Sequence, residues 1–100
     1  MFKQFELVED ELFTAQLTDL GDVERVDEAI ASLLRLISLR PDVFPLVPNT
    51  RKLRLAKSDR FIWIGGVVPR LRLWFSIEDD DHVLLRAIEI EPEEQIYGEI

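Results

Sequence analysis

The feature that most constrains this chain is a change in hydrophobic period, from about 3.6 residues in the first half to about 2 residues in the second. Apolar side chains recur at helical spacing in the first half, at Val23, Val26, Ile30, Leu33, Leu34 and Ile37. In the second half they alternate with other residues, at Leu71, Leu73, Phe75 and Ile77. Helix patterns followed by strand patterns predict an α+β domain whose helices cover one face of a sheet.

The first half carries one short strand pattern and two helix patterns. Apolar and polar residues alternate over residues 4–8, which predicts an opening strand, and the three acids that follow suit a helix N-terminus. Gly21 is placed to end this first helix, and Asp22 to cap a second helix over about residues 23–39. Three prolines then exclude further helix and predict an extended connection over residues 41–50.

The second half contains strand patterns separated by turn signals. Residues 52–55 alternate between basic and apolar, and residues 61–64 form a β-prone run that Gly65-Gly66 closes as a hairpin turn. A polar turn at residues 79–82 leads into a return strand over residues 83–90. The element order is therefore β-α-α-β-β-β, which predicts a twisted antiparallel sheet covered on one face by two helices.

Length and composition indicate one globular domain over residues 1–100, because 47% of the residues are hydrophobic and 32% are charged. The chain has no cysteine, which excludes disulfides, thiolate metal sites and a cysteine nucleophile. The N-terminus lacks the apolar core of a signal peptide, and the longest apolar run, about eight residues, is far short of a membrane span. We therefore expect a cytoplasmic protein without a membrane association.

Charge is distributed unevenly along the chain. Residues 51–72 contain seven basic residues and one acid, a net +6, whereas residues 1–50 sum to −6 and residues 73–100 to −8. Alternation along strands predicts that four of these bases lie side by side on the sheet, with a tryptophan beside them. This predicted basic cluster is Lys52, Arg54, Arg70 and Arg72, with Trp74. The overall charge of −8 disfavours general polyanion binding, so we expect a short acidic segment of a partner protein as its ligand.

Each of these residues also has a plainer interpretation. The basic cluster is equally compatible with a solvated sheet face whose charges pair with nearby acids. Trp74 is either a stacking platform or interface anchor, or part of a small core under a loop. His82 follows three aspartates, but the loop lacks the glycine and distal glutamate of a calcium hand, so an ordinary turn without a metal is expected. No cofactor-binding motif and no Ser/His/Asp arrangement can be assigned.

Several short patterns carry a family resemblance. They are Leu53-Arg54 in one strand, Arg72-Leu73-Trp74-Phe75 in another, the acidic turn and the apolar return strand. With the order of elements, they make the chain resemble the RelE/ParE superfamily of bacterial toxins from type II toxin–antitoxin systems. The resemblance implies an antitoxin-like partner, with mRNA on the ribosome as the target of RelE-like members and DNA gyrase as the target of ParE-like members. In an active RelE-like nuclease the matching catalytic residues would be Arg54, Arg72 and Tyr97.

The chain departs from that family after the last strand, where RelE-like nucleases carry basic residues. Here the segment is acidic, with Glu89, Glu91, Glu93 and Glu94. Carboxylates beside a phosphate oppose the electrostatic stabilisation that such a reaction needs. We therefore expect the toxin-type component of a toxin–antitoxin module, or a catalytically degenerate descendant that binds an acidic partner. An active ribosome-dependent mRNA endoribonuclease and a stand-alone protein-interaction domain remain the alternatives.

Overall fold

The structure, a computed structural model, describes residues 3–20, 26–58, 61–63, 66–68 and 70–91. The first strand, β1 (Glu6–Glu9), precedes two helices, α1 (Glu11–Leu20) and α2 (Val26–Leu39). A short 3-10 helix, Pro41–Val43, follows α2, and five strands complete the described chain. These strands are β2 (Leu53–Lys57), β3 (Phe61–Trp63), β4 (Gly66–Val68), β5 (Leu71–Ile77) and β6 (His82–Ile90). The predicted α+β class, with helices before a run of strands, is confirmed.

The first helix begins where the acids predict. The Asp10 side chain accepts a hydrogen bond from the backbone N–H of Glu11 at 2.8 Å, which satisfies one of the free donors at the start of α1. The predicted stop at Gly21 and cap at Asp22 lie outside the described residues. Neither helix in the described part of the chain is long and apolar enough to cross a membrane.

Four strands form one mixed sheet in the order β1-β6-β5-β2. The pairs β2–β5 and β5–β6 are antiparallel, but β1 runs parallel to β6. The prediction of a fully antiparallel sheet is therefore wrong for the first strand. Turn signals specify only strands that are neighbours in sequence. The partner of β1 is the last described strand, and that pairing depends on how the two intervening helices pack.

The segment between β2 and β5 forms a separate element. β3 and β4 pair with each other as an antiparallel two-stranded sheet, a second sheet that the predicted order did not contain. β2 and β5 pair with each other up to the point where the chain leaves the main sheet. There Lys57 lies opposite Arg72, and the N–H of Ser58 donates to Leu71 O at 3.1 Å. The intervening strands therefore pair outside the main sheet. The turn is predicted at Gly65-Gly66; Gly66 is the first residue of β4, and residues 64 and 65 lie outside the described residues.

The core lies between α2 and one face of the four-stranded sheet. The buried apolar residues of α2 are Val26, Ala29, Ile30, Leu33 and Ile37. They pack with Leu71, Leu73 and Phe75 of β5, which are completely buried, whereas Ile77 is only partly buried. The predicted packing of the helical stripe on this face of β5 is confirmed. Full burial of each large aliphatic side chain contributes about 1.5–3 kcal/mol.

Helix α1 covers the edge of β6 beyond the end of β1. The last strand is nine residues long and its partner β1 only four, so part of its outer edge has no strand beside it. The side-chain carbonyl of Gln16 accepts a hydrogen bond from the N–H of Ile88 at 2.8 Å, and the N–H of Asp10 donates to Leu85 O at 3.0 Å. A polar side chain of α1 thus replaces a missing strand and satisfies a backbone donor.

Candidate functional site

The face of the sheet turned away from α2 is the candidate site. Residues directly opposite each other on neighbouring strands share a face, so the strand register assigns every side chain. Trp74 lies opposite Leu55 on one side and Ala87 on the other, and these three half-buried residues point away from the core. We call this side the open face, because neither described helix packs on it.

The centre of the open face is apolar. One row of side chains crosses all four strands. Its members, from β1 to β2, are Val8, Leu84, the small Ser76 and Leu53. A second row contains Ala87, Trp74 and Leu55. Together the apolar members form what we call the apolar belt: Val8, Leu84, Leu53, Ala87, Trp74 and Leu55. Such a strip on a solvent-facing sheet surface is typical of a site that another chain covers.

A groove of about 410 Å³ runs across the belt. Its lining includes Leu53, Trp74 and Ala87 from three strands, and Leu12 and Asp10 from the start of α1. A bulge in β6 at Arg86, between Leu85 and Ala87, separates the two rows, and the small Ala87 leaves space beside the indole of Trp74. Leu12 is 55% exposed and Val8 is 40% exposed, so apolar surface remains accessible at the β1 side.

Basic side chains border the belt toward the end of β6, and each is paired with an acid. Arg72 forms an ion pair with Glu89 directly opposite it, and its guanidinium lies 5.5 Å from the centre of the Trp74 ring. Lys57 and Arg70 both lie near Glu91, with N–O distances of 3.5 and 3.7 Å. We call these five charged residues the basic flank, since three bases meet two acids.

The arginines of the basic flank retain hydrogen-bonding capacity. The Nε atoms of Arg70 and Arg72 are buried and have no acceptor among the described residues. A guanidinium carries five N–H donors, and one carboxylate satisfies only part of them. The side chains as a whole remain partly accessible, at 39% for Arg70 and 28% for Arg72. Because the Nε atoms themselves are buried, an additional carboxylate can approach only the exposed part of these two side chains.

Acids predominate on the opposite border of the belt, around the turn between β5 and β6. We call this border the acidic flank: Glu6, Glu78, Asp79, Asp80 and Asp81, with Lys3, Arg51, Lys52 and His82. His82 Nδ1 lies 2.9 Å from an Asp79 oxygen, and its Nε2 lies 3.7 Å from Glu6. The hydrogen bond to Asp79 raises the pKa of His82. The pKa of Asp79 is lowered mainly by the hydrogen bond that its side chain accepts from the Asp81 backbone N–H, and further by its hydrogen bond with the His82 side chain. The Ser76 hydroxyl, assisted by Lys52, lowers the pKa of Glu78.

The structure does not bring the four predicted basic residues together. Arg54 lies opposite Phe75, a core residue, and therefore points to the helix-covered side of the sheet. Its Nη1 donates to the carbonyl oxygens of Phe44 at 2.6 Å and Asp42 at 3.3 Å. The predicted side-by-side placement is wrong for Arg54, because Leu53 and Leu55 occupy the open face and force the intervening residue inward. Its contacts hold the segment after α2 against β2.

The remaining predicted site residues have different placements. Lys52 lies before β2 and pairs with Glu78 at 3.5 Å, at the far border from Arg70 and Arg72. Trp74 does share the face of Arg72, as alternation predicted. Tyr97, the third residue that the resemblance implies for catalysis, lies outside the described residues. Of the residues proposed for catalysis, the two that the structure describes, Arg54 and Arg72, therefore lie on opposite faces of the sheet.

Sequence reasoning missed most of the apolar belt. The predicted placement of Lys52 and Arg54 beside the other bases implies that Leu53 and Leu55 face the core, whereas they lie on the open face. Leu84 belongs to a return strand that is apolar on both faces, so alternation gives no assignment there. The one available signal was the buried alternation of β5, which places Trp74 outward. The register of the neighbouring strands then identifies the other members of the belt.

No family model matches the chain, and no curated protein matches it in sequence. Within the described ranges there is also no group of three or more histidine or carboxylate side chains arranged to hold a metal ion.

Proposed function

We propose that this protein is the toxin-type component of a bacterial toxin–antitoxin module, or a catalytically degenerate descendant of one, and that it binds a partner protein through the open face. The observation that carries the proposal is the apolar belt, which crosses four strands and is bordered on both sides by charged residues. An apolar centre with a polar rim is the usual composition of a protein-binding surface. The order of elements and the residues that resemble RelE/ParE toxins support the toxin-type assignment.

The arrangement of charge favours partner binding over cleavage of RNA. Arg72, which lies on the open face, is paired with Glu89, and Glu91 lies between the next two bases. Each carboxylate about 4 Å from a phosphate costs at least about 1 kcal/mol in water. Transition-state stabilisation requires positive charge that is free to meet the developing negative charge. The contacts around Arg72 therefore support a non-nucleolytic role.

A growth assay on induction, with and without the gene that neighbours this one, tests the toxin-type assignment. Growth arrest that co-expression of the neighbour relieves would support it, and binding of the neighbour's product should then require Trp74. Trp74→Ala is compared with Leu36→Ala, since Leu36 is 53% exposed on α2, away from the belt. We expect the wild type and Leu36→Ala to retain the partner and Trp74→Ala to lose it. Equal retention by all three proteins would place the interface elsewhere.

Cleavage assays address the enzymatic alternative. The purified protein is incubated with mRNA alone and with translating ribosomes, and cleavage sites are mapped. We expect little or no codon-dependent cleavage. Robust cleavage that Arg72→Ala abolishes would contradict the non-nucleolytic proposal and establish the endoribonuclease alternative.

A further inference from the structure

The dimensions of the apolar belt match one short helix. Four strands spaced about 4.8 Å apart make the belt about 14 Å long, and its two rows are about 7 Å apart. A helix of about ten residues is about 15 Å long and presents an apolar stripe of similar width. An added strand would instead pair with a sheet edge and run along the strands. The groove beside Trp74 crosses the strands, so it fits a helix better than a strand.

The borders of the belt differ in charge. On the acidic flank, five acids meet three permanently charged bases and His82, whereas on the basic flank three bases meet two acids. A helix lying in the belt places one of its own polar flanks over each border. Opposite charges across a binding surface stabilise one orientation and disfavour partners with the wrong pattern.

From these two observations we infer that the partner segment is an amphipathic helix with an apolar stripe, acidic residues on one flank and basic residues on the other. The acidic side faces Lys57, Arg70 and Arg72, whose side chains remain partly exposed. The basic side faces the turn that contains Asp79, Asp80 and Asp81. This inference rests on the proposed protein-binding function and specifies the chemistry of the segment that is bound.

Three synthetic helical peptides test the charge pattern. Each is about 14 residues long and carries the same apolar stripe, but one has a lysine flank and a glutamate flank, one has lysine on both, and one has glutamate on both. Binding to the full-length protein is measured by calorimetry and by amide chemical shifts. We expect the mixed peptide to bind about tenfold more tightly than either uniform peptide at low salt, with the difference reduced at high salt.

Protein variants locate the binding site and the flank. Trp74→Ala should weaken binding of the mixed peptide at least about tenfold, whereas Leu36→Ala should leave the affinity for this peptide unchanged. A double variant, Glu89→Gln and Glu91→Gln, makes the basic flank more positive. It should strengthen binding of the peptide that has glutamate on both flanks. Amide spectra of every variant establish that it is folded. Binding that is insensitive to Trp74→Ala, or equal for all three peptides, would overturn the inference.

Other occupants of the belt give distinct results. A dimer of this chain that Trp74→Ala dissociates in sedimentation would assign the belt to a second copy. Nuclear Overhauser contacts between Trp74 and Tyr97 in the free protein would assign it to residues 92–100. Either finding overturns the inference. If the neighbouring gene product binds through Trp74 but the peptides show no preference for mixed flanks, the proposed function stands and only the inferred charge pattern is wrong.

Discussion

The two faces of the four-stranded sheet are built from alternating residues of the same strands, yet they have different compositions. On the helix-covered face Leu71, Leu73 and Phe75 are completely buried. On the open face their neighbours Arg72 and Trp74 are only partly buried and contact each other and charged residues. One strand can therefore supply stability on one side and a recognition surface on the other. Substitutions on the two faces should therefore separate stability from binding.

The largest expected difference between the faces concerns two leucines. Leu73→Ala should reduce the free energy of unfolding by about 2–5 kcal/mol, because it leaves a cavity under α2. Leu84→Ala on the open face should cost less than about 1.5 kcal/mol, since that side chain is only partly buried. Chemical denaturation measures both. Equal losses would mean that both faces are buried and would remove the distinction.

Two arginines provide the next contrast. Arg54→Ala should destabilise the fold by about 1.5–3 kcal/mol, because charged hydrogen bonds to the Phe44 and Asp42 carbonyls are lost. Arg72→Ala should cost about 0–1 kcal/mol, the usual contribution of a partly exposed ion pair. Arg54→Met, which keeps an apolar stem, is the control for lost packing. A larger stability loss for Arg72→Ala than for Arg54→Ala would contradict the assignment of their roles.

A smaller effect is expected at the edge of β6. Gln16→Ala removes the acceptor of the Ile88 N–H and should cost about 1 kcal/mol. Gln16→Glu keeps an oxygen acceptor and serves as the matched control. Hydrogen exchange of the Ile88 amide should accelerate in the alanine variant and remain slow in the glutamate variant. Unchanged protection in Gln16→Ala would indicate that α1 does not replace a strand at this edge.

The smallest expected effect is the pH dependence of the turn on the acidic flank. The pKa of His82 is raised above its ordinary value of 6.5, so its contribution to stability is complete below that pH and is lost as pH rises through the folded-state pKa. The pKa of Asp79 is lowered below 3.8, so its contribution is present above that pH and is lost as pH falls through its folded-state pKa. Local protection of the turn should be greatest between about pH 4 and pH 6.5.

Nuclear magnetic resonance titration of His82, with amide exchange of Asp81 and His82, measures this dependence. His82→Gln is the control: it should remove the decline at the alkaline side and reduce, without abolishing, the decline at the acidic side, because the Asp81 N–H still donates to Asp79. A titration midpoint of His82 at or below 6.5 would contradict the predicted direction.

Elements with a strong period of their own could be predicted from the sequence. The stripe of α2 and the alternation of β5 specify mutually compatible apolar surfaces, and the shared core that contains Leu33, Ile37 and Leu73 followed from them. The antiparallel pairing of β5 with β6 could also be predicted, because a polar turn of only four residues connects the two strands. In these regions, local pattern and tertiary packing favour the same arrangement.

The candidate site was less predictable, because an edge strand does not reveal its buried face. In β2 the basic and apolar residues alternate, and the hydrophobic effect by itself places the leucines inward. The structure places Leu53 and Leu55 outward because Ala56 is the residue that fits under the helices, and Arg54 can reach two carbonyls at the margin of the core. A long side chain with an apolar stem and a charged tip tolerates that position.

The α+β class, the helix-then-strand order, the core stripe of α2 and the inward face of β5 follow from the sequence, since each depends on a periodicity that one segment carries. The parallel pairing of β1 with β6, the separate hairpin of β3 and β4, and the meeting of apolar residues from four strands in one belt do not follow from it. Each of these depends on register between segments far apart in the chain. Register is selected by packing of the whole domain, which no local pattern encodes.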